Sequence, residues 1–266
     1  MFEIESDGLR LVFVFLAFLF LASRVYKLLT KHRHRYIGQR DKQKRRHGKG
    51  TQYLSNGDKF EGEFCKDQYK VGTYTFKKGG GSYVGPFQNG RFHGVGVEVY
   101  SEGGKYEGGF QNGLRHGQGF LAFKSGNSYK GTWKDGKKHG KGVHKSAVGT
   151  YTGEFVNGKR EGKGVMVFSS GHFAKYQGRW RGGVFSGKGK VWFRENGGRW
   201  EGMFEKGTPH GEGVFIASNG KRAIHVYDYG KVKSVIVDDK DKNKSAQARP
   251  SPGDELGAGL VDEKHI

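Results

Sequence analysis

The sequence predicts an all-β protein, an elongated single-layer ribbon of stacked β-hairpins preceded by one transmembrane α-helix. Three observations lead to this prediction. The 266 residues include 48 Gly, 20 Phe, 13 Tyr and 4 Trp but only 4 Pro. An aromatic-and-glycine pattern recurs along the chain, and one uncharged apolar run lies near the N-terminus. Glycine with aromatic residues and little proline is typical of many short strands joined by tight turns, and not of collagen or a flexible linker.

The apolar run Leu11–Ser23 carries no charge. As a helix, thirteen residues span only about 20 Å of a hydrocarbon core that is roughly 30 Å thick. A helix over residues 9–29 is long enough if Arg10 and Arg24 extend towards opposite interfaces. We therefore predict a short non-cytosolic N-terminus over 1–8 and a transmembrane signal-anchor helix over 9–29. A cleaved signal peptide and a soluble buried helix stay open as alternatives.

A basic segment follows the predicted anchor. Residues 24–49 hold eleven Lys or Arg and a single acid, Asp41. The positive-inside rule then places the rest of the chain in the cytosol, and the short anchor favours the endoplasmic reticulum or an organelle outer membrane over the plasma membrane. We predict that residues 30–46 form a basic juxtamembrane linker that contacts anionic headgroups, unless it is only a solvated flank. The predicted lipid-contact residues are Lys31, Arg33, Arg35, Arg40, Lys42, Lys44, Arg45 and Arg46.

One pattern recurs from Phe60 onward: aromatic-x-Gly-x-aromatic, a turn, and then a short strand that typically opens with His-Gly-x-Gly. Successive copies start 22 to 25 residues apart. A fixed period in this range is the mark of a repeat architecture. The copies begin at Phe60, Tyr83, Tyr106, Tyr129, Tyr151, Tyr176 and Trp200.

Strand geometry explains the residue types. Tyr106, Gly108 and Phe110 lie at alternate positions and share one face, so the glycine leaves a slot that we expect a ring from an adjacent hairpin to occupy. Asn-Gly and Asp-Gly pairs predict tight hairpin turns. Close backbone approach or positive φ accounts for Gly-x-Gly on the return strand. The predicted repeat-defining residues are Tyr83, Gly85, Tyr106, Gly108, Phe110, His116, Gly117, Gly119, Tyr129, Gly131, Trp133, His139, Gly140, Gly142, Tyr151, Gly153 and Phe155.

These motifs resemble MORN repeats (membrane occupation and recognition nexus). The predicted array of about seven repeats covers 47–216, and its first unit, His47–Gly50, lacks its first half. Residues 217–237 read as a degenerate capping hairpin and 238–266 as a disordered tail. The resemblance implies an elongated, non-catalytic scaffold that is often dimeric and often linked to membranes or acidic phospholipids.

The sequence offers no convincing catalytic or metal-binding pattern. The single Cys65 excludes an intramolecular disulfide. His93, His116, His139 and His210 recur in phase, but equivalent positions two strands apart are about 9–10 Å from each other and cannot share one metal ion. Near matches to a phosphate-binding loop lack the Ser or Thr that the motif requires. We therefore expect no catalytic residues, no metal, no cofactor and no enzymatic activity.

The expected function is that of a membrane-anchored scaffold that engages an anionic membrane or a protein partner, with a homodimer as the assembly that the resemblance suggests. The alternative is a targeting or regulatory subunit for a separate enzyme. Nucleic-acid binding is a remote alternative, because basic residues and exposed rings would suit single strands. It is not expected here, since the aromatic residues are assigned to the packing face of the repeats.

Overall fold

The computed structural model describes residues 35–237, which form antiparallel β-strands joined by turns. Within that range no helix is long and apolar enough to cross a bilayer. The segments predicted as N-terminus and anchor (1–29) and as tail (238–266), together with Lys31 and Arg33, lie outside the described residues. The chain divides between Ser101 and Glu102 into two compact units. Each unit is described by itself.

The first unit is built from three consecutive hairpins. Its strands are β1 (Arg35–Arg40), β2 (Arg46–Tyr53), β3 (Lys59–Cys65), β4 (Gln68–Thr75), β5 (Ser82–Gln88), β6 (Arg91–Phe92) and β7 (Gly94–Tyr100). Strand β1 pairs with β2, β2 with β3, β3 with β4, and β4 with β5. The return path from β5 is split, because β6 and β7 each pair with a different part of β5.

The second unit continues the same hairpin pattern over twelve strands. Each strand pairs with the next one along the chain, from β8–β9 to β18–β19. The strands are β8 (Gly104–Gln111), β9 (Leu114–Phe123), β10 (Ser128–Lys134), β11 (Lys137–Ser146), β12 (Gly149–Val156), β13 (Lys159–Phe168), β14 (Phe173–Arg181), β15 (Val184–Phe193), β16 (Arg199–Glu205), β17 (Thr208–Ile216), β18 (Arg222–Asp228) and β19 (Lys231–Val237).

The prediction of a linker over 30–46 is wrong for its described part. Residues 35–40 form β1, which pairs with β2 from Arg35↔Tyr53 to Arg40↔Arg46. Tyr36 donates a 2.6 Å hydrogen bond to the carbonyl of Gln39, the same contact with residue i+3 that Tyr106 makes with Gly109. Tyr36, Gly38 and the β1–β2 pairing therefore supply the first half of the repeat that the sequence analysis took to be missing before His47.

The slot above each motif glycine is filled differently from the prediction. In the repeat that starts at Tyr129, Gly131 pairs directly with Gly142 on the return strand. The Tyr129 ring lies over this glycine pair, so a Cβ at Gly142 would lie 2.5 Å from the phenolic oxygen and 2.6 Å from a ring carbon. The occupant is thus the ring of the same motif and not one from an adjacent hairpin. Its hydroxyl donates to the carbonyl of Thr132 at 3.0 Å, which holds the ring flat against the sheet.

The two glycines of Gly-x-Gly have different causes. The second, as at Gly142, lies beneath the tyrosine ring. The first, as at Gly140, has φ +58° and forms a bulge just where the register shifts between Gly131 and Thr132. Both expected reasons for glycine are therefore present, one at each position.

The predicted tight turns are also present. Asn112 and Gly113 both have positive φ, +52° and +85°, which is the type I′ geometry that matches the twist of a hairpin. The same signs occur at Asn89-Gly90, Asp135-Gly136 and Asn157-Gly158.

The core of each unit is a row of interlocked rings. In the second unit, Tyr129 meets Trp133 of its own strand at 5.2 Å and Phe155 of the next hairpin at 5.1 Å, both edge to face. These side chains are at most 3% exposed. Edge-to-face pairs are worth about 0.5–1.5 kcal/mol each beyond the burial of apolar area. The repeat therefore stabilises itself through contacts within one hairpin and with its neighbour.

The C-terminal strands form the degenerate hairpin expected over 217–237. Tyr227 on β18 packs edge to face on Trp200 at 5.1 Å, as the second aromatic of a repeat would. His225 takes the glycine position opposite Gly213, and Ala223 takes the first aromatic position opposite Phe215. Among the described residues β19 pairs only with β18, so it is an edge strand.

Candidate functional site

Alternation along the strands gives each unit two chemically different faces. In the second unit Tyr129, Gly131 and Trp133 are buried on one side, which we call the aromatic face. Lys130 and Lys134 alternate with them and are exposed on the other side, which we call the basic face. Cross-strand pairing carries the alternation to neighbouring strands, because paired residues share a face.

Cations cover part of the aromatic face. Arg115 lies over the rings of Tyr106 and Trp133, with 5.2 Å from the guanidinium carbon to each centroid. Lys138 occupies the equivalent place over Tyr129 at 5.4 Å, and Arg160 lies over Tyr151 at 5.5 Å. In the repeats that start at Tyr83 and Tyr176 a phenylalanine stacks on the tyrosine instead. The residue before the histidine position of the repeat therefore covers the tyrosine ring with either a cation or an aromatic ring, also in the two repeats where Glu161 and Ser186 replace the histidine.

The positive charges on the aromatic face shift the titration of their neighbours. Burial, and then the charge of Arg160, lower the pKa of Lys138 to about 8. Burial, and then Lys138 and Arg160, lower the pKa of His144 to about 4. Burial raises the pKa of Tyr129 to about 12. His144 is therefore neutral at pH 7. The side chains of the aromatic face are packed against one another.

The basic face carries exposed lysines without ion-pair partners. They stand on four different strands of the second unit, β10, β11, β13 and β15. They are Lys130, Lys134, Lys137, Lys141, Lys145, Lys163 and Lys188. None of them has a carboxylate within ion-pair distance among residues 35–237. The acids on this face include Glu107, held by Lys105 at 2.6 Å, and Glu154, which accepts the backbone N–H of Lys163 at 3.3 Å.

A groove crosses the basic face of the second unit. It has a volume of about 770 Å³ and runs over β12 to β17. Its floor follows the glycine pairs Gly164↔Gly178 and Gly189↔Gly202, where no side chain rises. Lys163, Arg179 and Lys188 line one part, and Glu201 and Glu212 line another. The glycines that admit the tyrosine rings on one face therefore leave a channel on the other.

The predicted lipid-contact residues within the described range lie in the first hairpin of the first unit. Arg45 pairs with Asp41 at 2.7 Å, and Arg46 pairs with Asp67 at 3.0 Å. Arg40 donates to the carbonyl of Lys44 and stands over the Tyr36 ring. Arg35, Lys42 and Lys44 are exposed. The arginines at 40, 45 and 46 are thus engaged within the fold, and the larger cluster of unpaired cations, on the basic face, is one that the sequence analysis missed.

The repeat histidines do not form a shared site. The Nδ1 atoms of His93, His116 and His139 are buried without a hydrogen-bond partner. His116 faces Asp135 at 3.7 Å, and His210 faces Glu205 and Asp228, each at 3.8 Å. Within residues 35–237 no group of three or more His, Cys, Asp and Glu side chains is arranged to hold a metal ion.

Comparison with known proteins identifies the repeat. No curated protein matches the sequence. One similar solved structure is the SAS-4 (dCPAP) TCP domain of Drosophila melanogaster in complex with a proline-rich motif of Ana2 (dSTIL). It is 13% identical, with a TM-score of 0.31 over 73% of this chain and 90% of that chain. At that score the likeness says nothing about the fold or function of this chain.

The family comparison is decisive. The MORN repeat model matches seven segments, which together cover more than half of the chain. They are residues 42–59, 83–105, 106–128, 129–150, 151–173, 176–197 and 200–222. The chain belongs to the family of MORN-repeat proteins.

Proposed function

We propose that this chain is a non-catalytic, membrane-anchored scaffold whose repeat array engages an apposed anionic membrane through the basic face of its second unit. The observation that carries the proposal is the set of exposed lysines on β10, β11, β13 and β15 that have no carboxylate partner in the described part of the chain. A lysine beside an anionic bilayer contributes about 1 kcal/mol, so several on one face bind together.

The division of labour between the two faces supports this choice over nucleic-acid binding. Single-strand binders stack bases on exposed aromatic side chains. Here Tyr106, Tyr129 and Tyr151 are at most 1% exposed and covered by side chains of the same unit. A flat charged surface such as a bilayer needs no exposed ring.

The anchor completes the proposal. Residues 9–29 would fix the chain in one membrane and leave the repeats on the cytosolic side, free to meet a second membrane. This arrangement makes tethering, rather than simple attachment, the property to measure.

A vesicle-clustering assay tests the proposal with the full chain. The protein is reconstituted into neutral vesicles, labelled anionic vesicles are added, and clustering is followed by light scattering. We expect clustering that rises with the anionic lipid fraction and falls with salt. The variant K130E/K141E/K145E/K163E should weaken it by about two to three orders of magnitude in anionic-vesicle concentration, given about 1 kcal/mol per lysine.

The control changes the same net charge elsewhere. The variant K66E/K78E/K124E/K221E reverses four exposed lysines in turns. It should cluster vesicles almost as the unchanged chain does. If the two variants lost clustering equally, net charge alone would explain the effect, and the proposal of a specific binding face would be contradicted. No clustering at low salt would favour the alternative function, a targeting or regulatory subunit that binds a protein partner.

A further inference from the structure

One row of side chains on the basic face of the second unit alternates between apolar and cationic residues. Successive cross-strand pairs from β13 to β18 define it: Val167↔Lys175, Lys175↔Trp192, Trp192↔Arg199, Arg199↔Ile216 and Ile216↔Arg222. The apolar members stand on β13, β15 and β17, and the cations stand on β14, β16 and β18. Neighbouring strands are about 4.8 Å apart, so the row is about 24 Å long. We call these residues the alternating row.

Trp192 differs from the other tryptophans of the chain. Three of the four are at most 3% exposed and belong to the core: Trp133, Trp180 and Trp200. Trp192 follows the fully buried Val191 along β15, so its side chain lies on the basic face, where it is partly exposed. The Nζ atom of Lys175 stands 4.5 Å from the centroid of its ring. Trp192 is therefore not one of the rings that interlock on the aromatic face.

The repeat does not require large apolar residues in this row. On the preceding strands the same cross-strand row continues through smaller or polar residues: Thr150, Lys145, Ser128 and Ala122. The hairpins there have the same kind of aromatic core. Val167, by contrast, is 51% exposed. Apolar side chains that recur in register on an exposed face, without a place in the core, indicate a contact surface.

The cations of the row carry positive charge that the fold does not neutralise fully. Lys175 and Arg222 have no carboxylate within ion-pair distance in the part of the chain that the structure describes. Arg199 contacts Glu201 at 2.7 Å, and Lys190 contacts the same carboxylate at 2.9 Å. A partner for this row must therefore offer anionic groups and an apolar environment within a few ångströms of each other.

The interface of an anionic bilayer offers both at the same depth. Phosphates lie directly above the first methylenes of the acyl chains, and tryptophan favours this level. Lysine and arginine can lay their stems along apolar groups and keep their charges among the headgroups. A single strand of nucleic acid fits less well, because bases stack on open ring faces and Lys175 lies over the ring of Trp192.

We propose that the alternating row is the part of the basic face that enters the bilayer. Its apolar side chains insert at the headgroup level of an anionic membrane, and its cations contact the phosphates on either side. The inference rests on the proposed function and adds an apolar, inserted component to it. The lysines on β10 to β15 draw the face to the membrane, and the row around Trp192 holds it there.

Quenching of tryptophan fluorescence by brominated lipid tests the insertion in the full chain. All four tryptophans lie in the second unit, so the predicted anchor contributes no signal. The protein is reconstituted into neutral vesicles and mixed with anionic vesicles that carry bromine on their acyl chains. Bromine near the headgroup should quench roughly twofold more than bromine near the chain end, because interfacial side chains enter only about 5–10 Å.

Two conservative variants assign the signal to one ring. Trp192→Phe should remove most of the bromine-dependent quenching. Trp180→Phe is the matched control and should keep it, since Phe155 and Phe204 occupy the equivalent position in other repeats. Trp192→Ser should also raise the anionic-vesicle concentration needed for clustering by about tenfold, because it removes the largest inserted side chain.

The outcomes separate this inference from the proposed function. Clustering by the unchanged chain without quenching of Trp192 would overturn the insertion and leave the docking of the basic face intact. A lack of clustering at low salt would overturn both. Quenching of Trp192 by a single-stranded oligonucleotide, with none by brominated lipid, would assign the row to nucleic acid and overturn the proposal.

Discussion

At the residue scale, glycine in this repeat acts as a seat for a ring. Gly131 and Gly142 face each other across the hairpin, and the Tyr129 ring covers both. Only a residue without Cβ leaves room for that ring. The recurrent glycines are therefore consequences of packing, and their effect on stability can be divided into steric and conformational parts by substitution.

Gly142→Ala is expected to destabilise the second unit strongly. The new Cβ would lie 2.5 Å from the Tyr129 oxygen, and the ring cannot move without losing its hydrogen bond to Thr132 and its contacts with Trp133 and Phe155. Overpacking of this kind costs about 3 kcal/mol. Gly117→Asn is the control, since Gly117 has φ +72°, has open space around its Cβ position, and asparagine tolerates that conformation. Denaturant unfolding should show a much larger loss of stability for Gly142→Ala than for Gly117→Asn. Equal losses would contradict the conclusion that the Tyr129 ring requires a glycine beneath it.

Lys138 gives the aromatic face a pH dependence of defined sign. Its pKa of about 8 in the folded chain is below the ordinary value of 10.5, so the unfolded chain binds more protons between those values. The unfavourable charge is fully present below pH 8 and is relieved as pH rises. Relative to Lys138→Met, the free energy of unfolding of the unchanged chain should rise by about 1 kcal/mol between pH 7 and pH 9. A constant difference between the two proteins would contradict the shift.

The sequence correctly predicted which residues share a strand face, because side chains alternate between the two faces of a strand. It was misleading for contacts that depend on side-chain rotamers. Tyr106, Gly108 and Phe110 could be assigned to one face from spacing alone. The ring that covers the glycine could not be predicted from spacing, because its identity depends on the tyrosine side chain folding back over its own strand. The basic face was also legible in principle, since Lys130 and Lys134 alternate with Tyr129, Gly131 and Trp133.

At the element scale, the type I′ turns differ in how well their residues suit positive φ. Asn112 suits φ +52°, whereas Lys66 at φ +49° in the β3–β4 turn does not. Lys66→Asn should therefore raise the free energy of unfolding by about 0.5–1 kcal/mol, and the reciprocal Asn112→Lys should lower it by a similar amount. Chemical denaturation measures both. Changes of the same sign in the two variants would show that turn conformation is not the cause.

Strand β1 is the element that sequence reasoning missed, for an identifiable reason. Arg40 stands where the other repeats have their second aromatic residue, and the surrounding cations look like a membrane flank. In the structure Tyr36 covers Gly50 and meets Phe64 edge to face at 5.0 Å.

Tyr36→Ala tests whether β1 belongs to the array. The substitution should destabilise the first unit by about 2 kcal/mol, because it removes a partly buried ring from the hairpin. Arg35→Ala, at an exposed position on the same strand, should change stability by less than about 0.5 kcal/mol. Thermal unfolding of the full chain is the measurement. If the two variants had the same stability, residues 35–40 would be a linker and not part of the array.

At the scale of the whole molecule, the MORN repeats separate packing from recognition. The aromatic face stabilises each unit, so exposed charge on the opposite face is free to vary without cost to the core. In the second unit that face holds a groove floored by glycines, and exposed lysines that have no ion-pair partner among residues 35–237. Exposed charged residues on that face can determine which partner binds, whereas the buried motif that defines the family cannot.

Lysine footprinting tests the central claim most directly. The full chain is acetylated on neutral and on anionic vesicles, and modification rates are read by mass spectrometry. On anionic vesicles we predict slower modification of Lys130, Lys141, Lys145, Lys163 and Lys188, with Lys66 and Lys124 unchanged. Unchanged rates on the basic face, or protection confined to Lys42 and Lys44 in the first hairpin, would contradict the account.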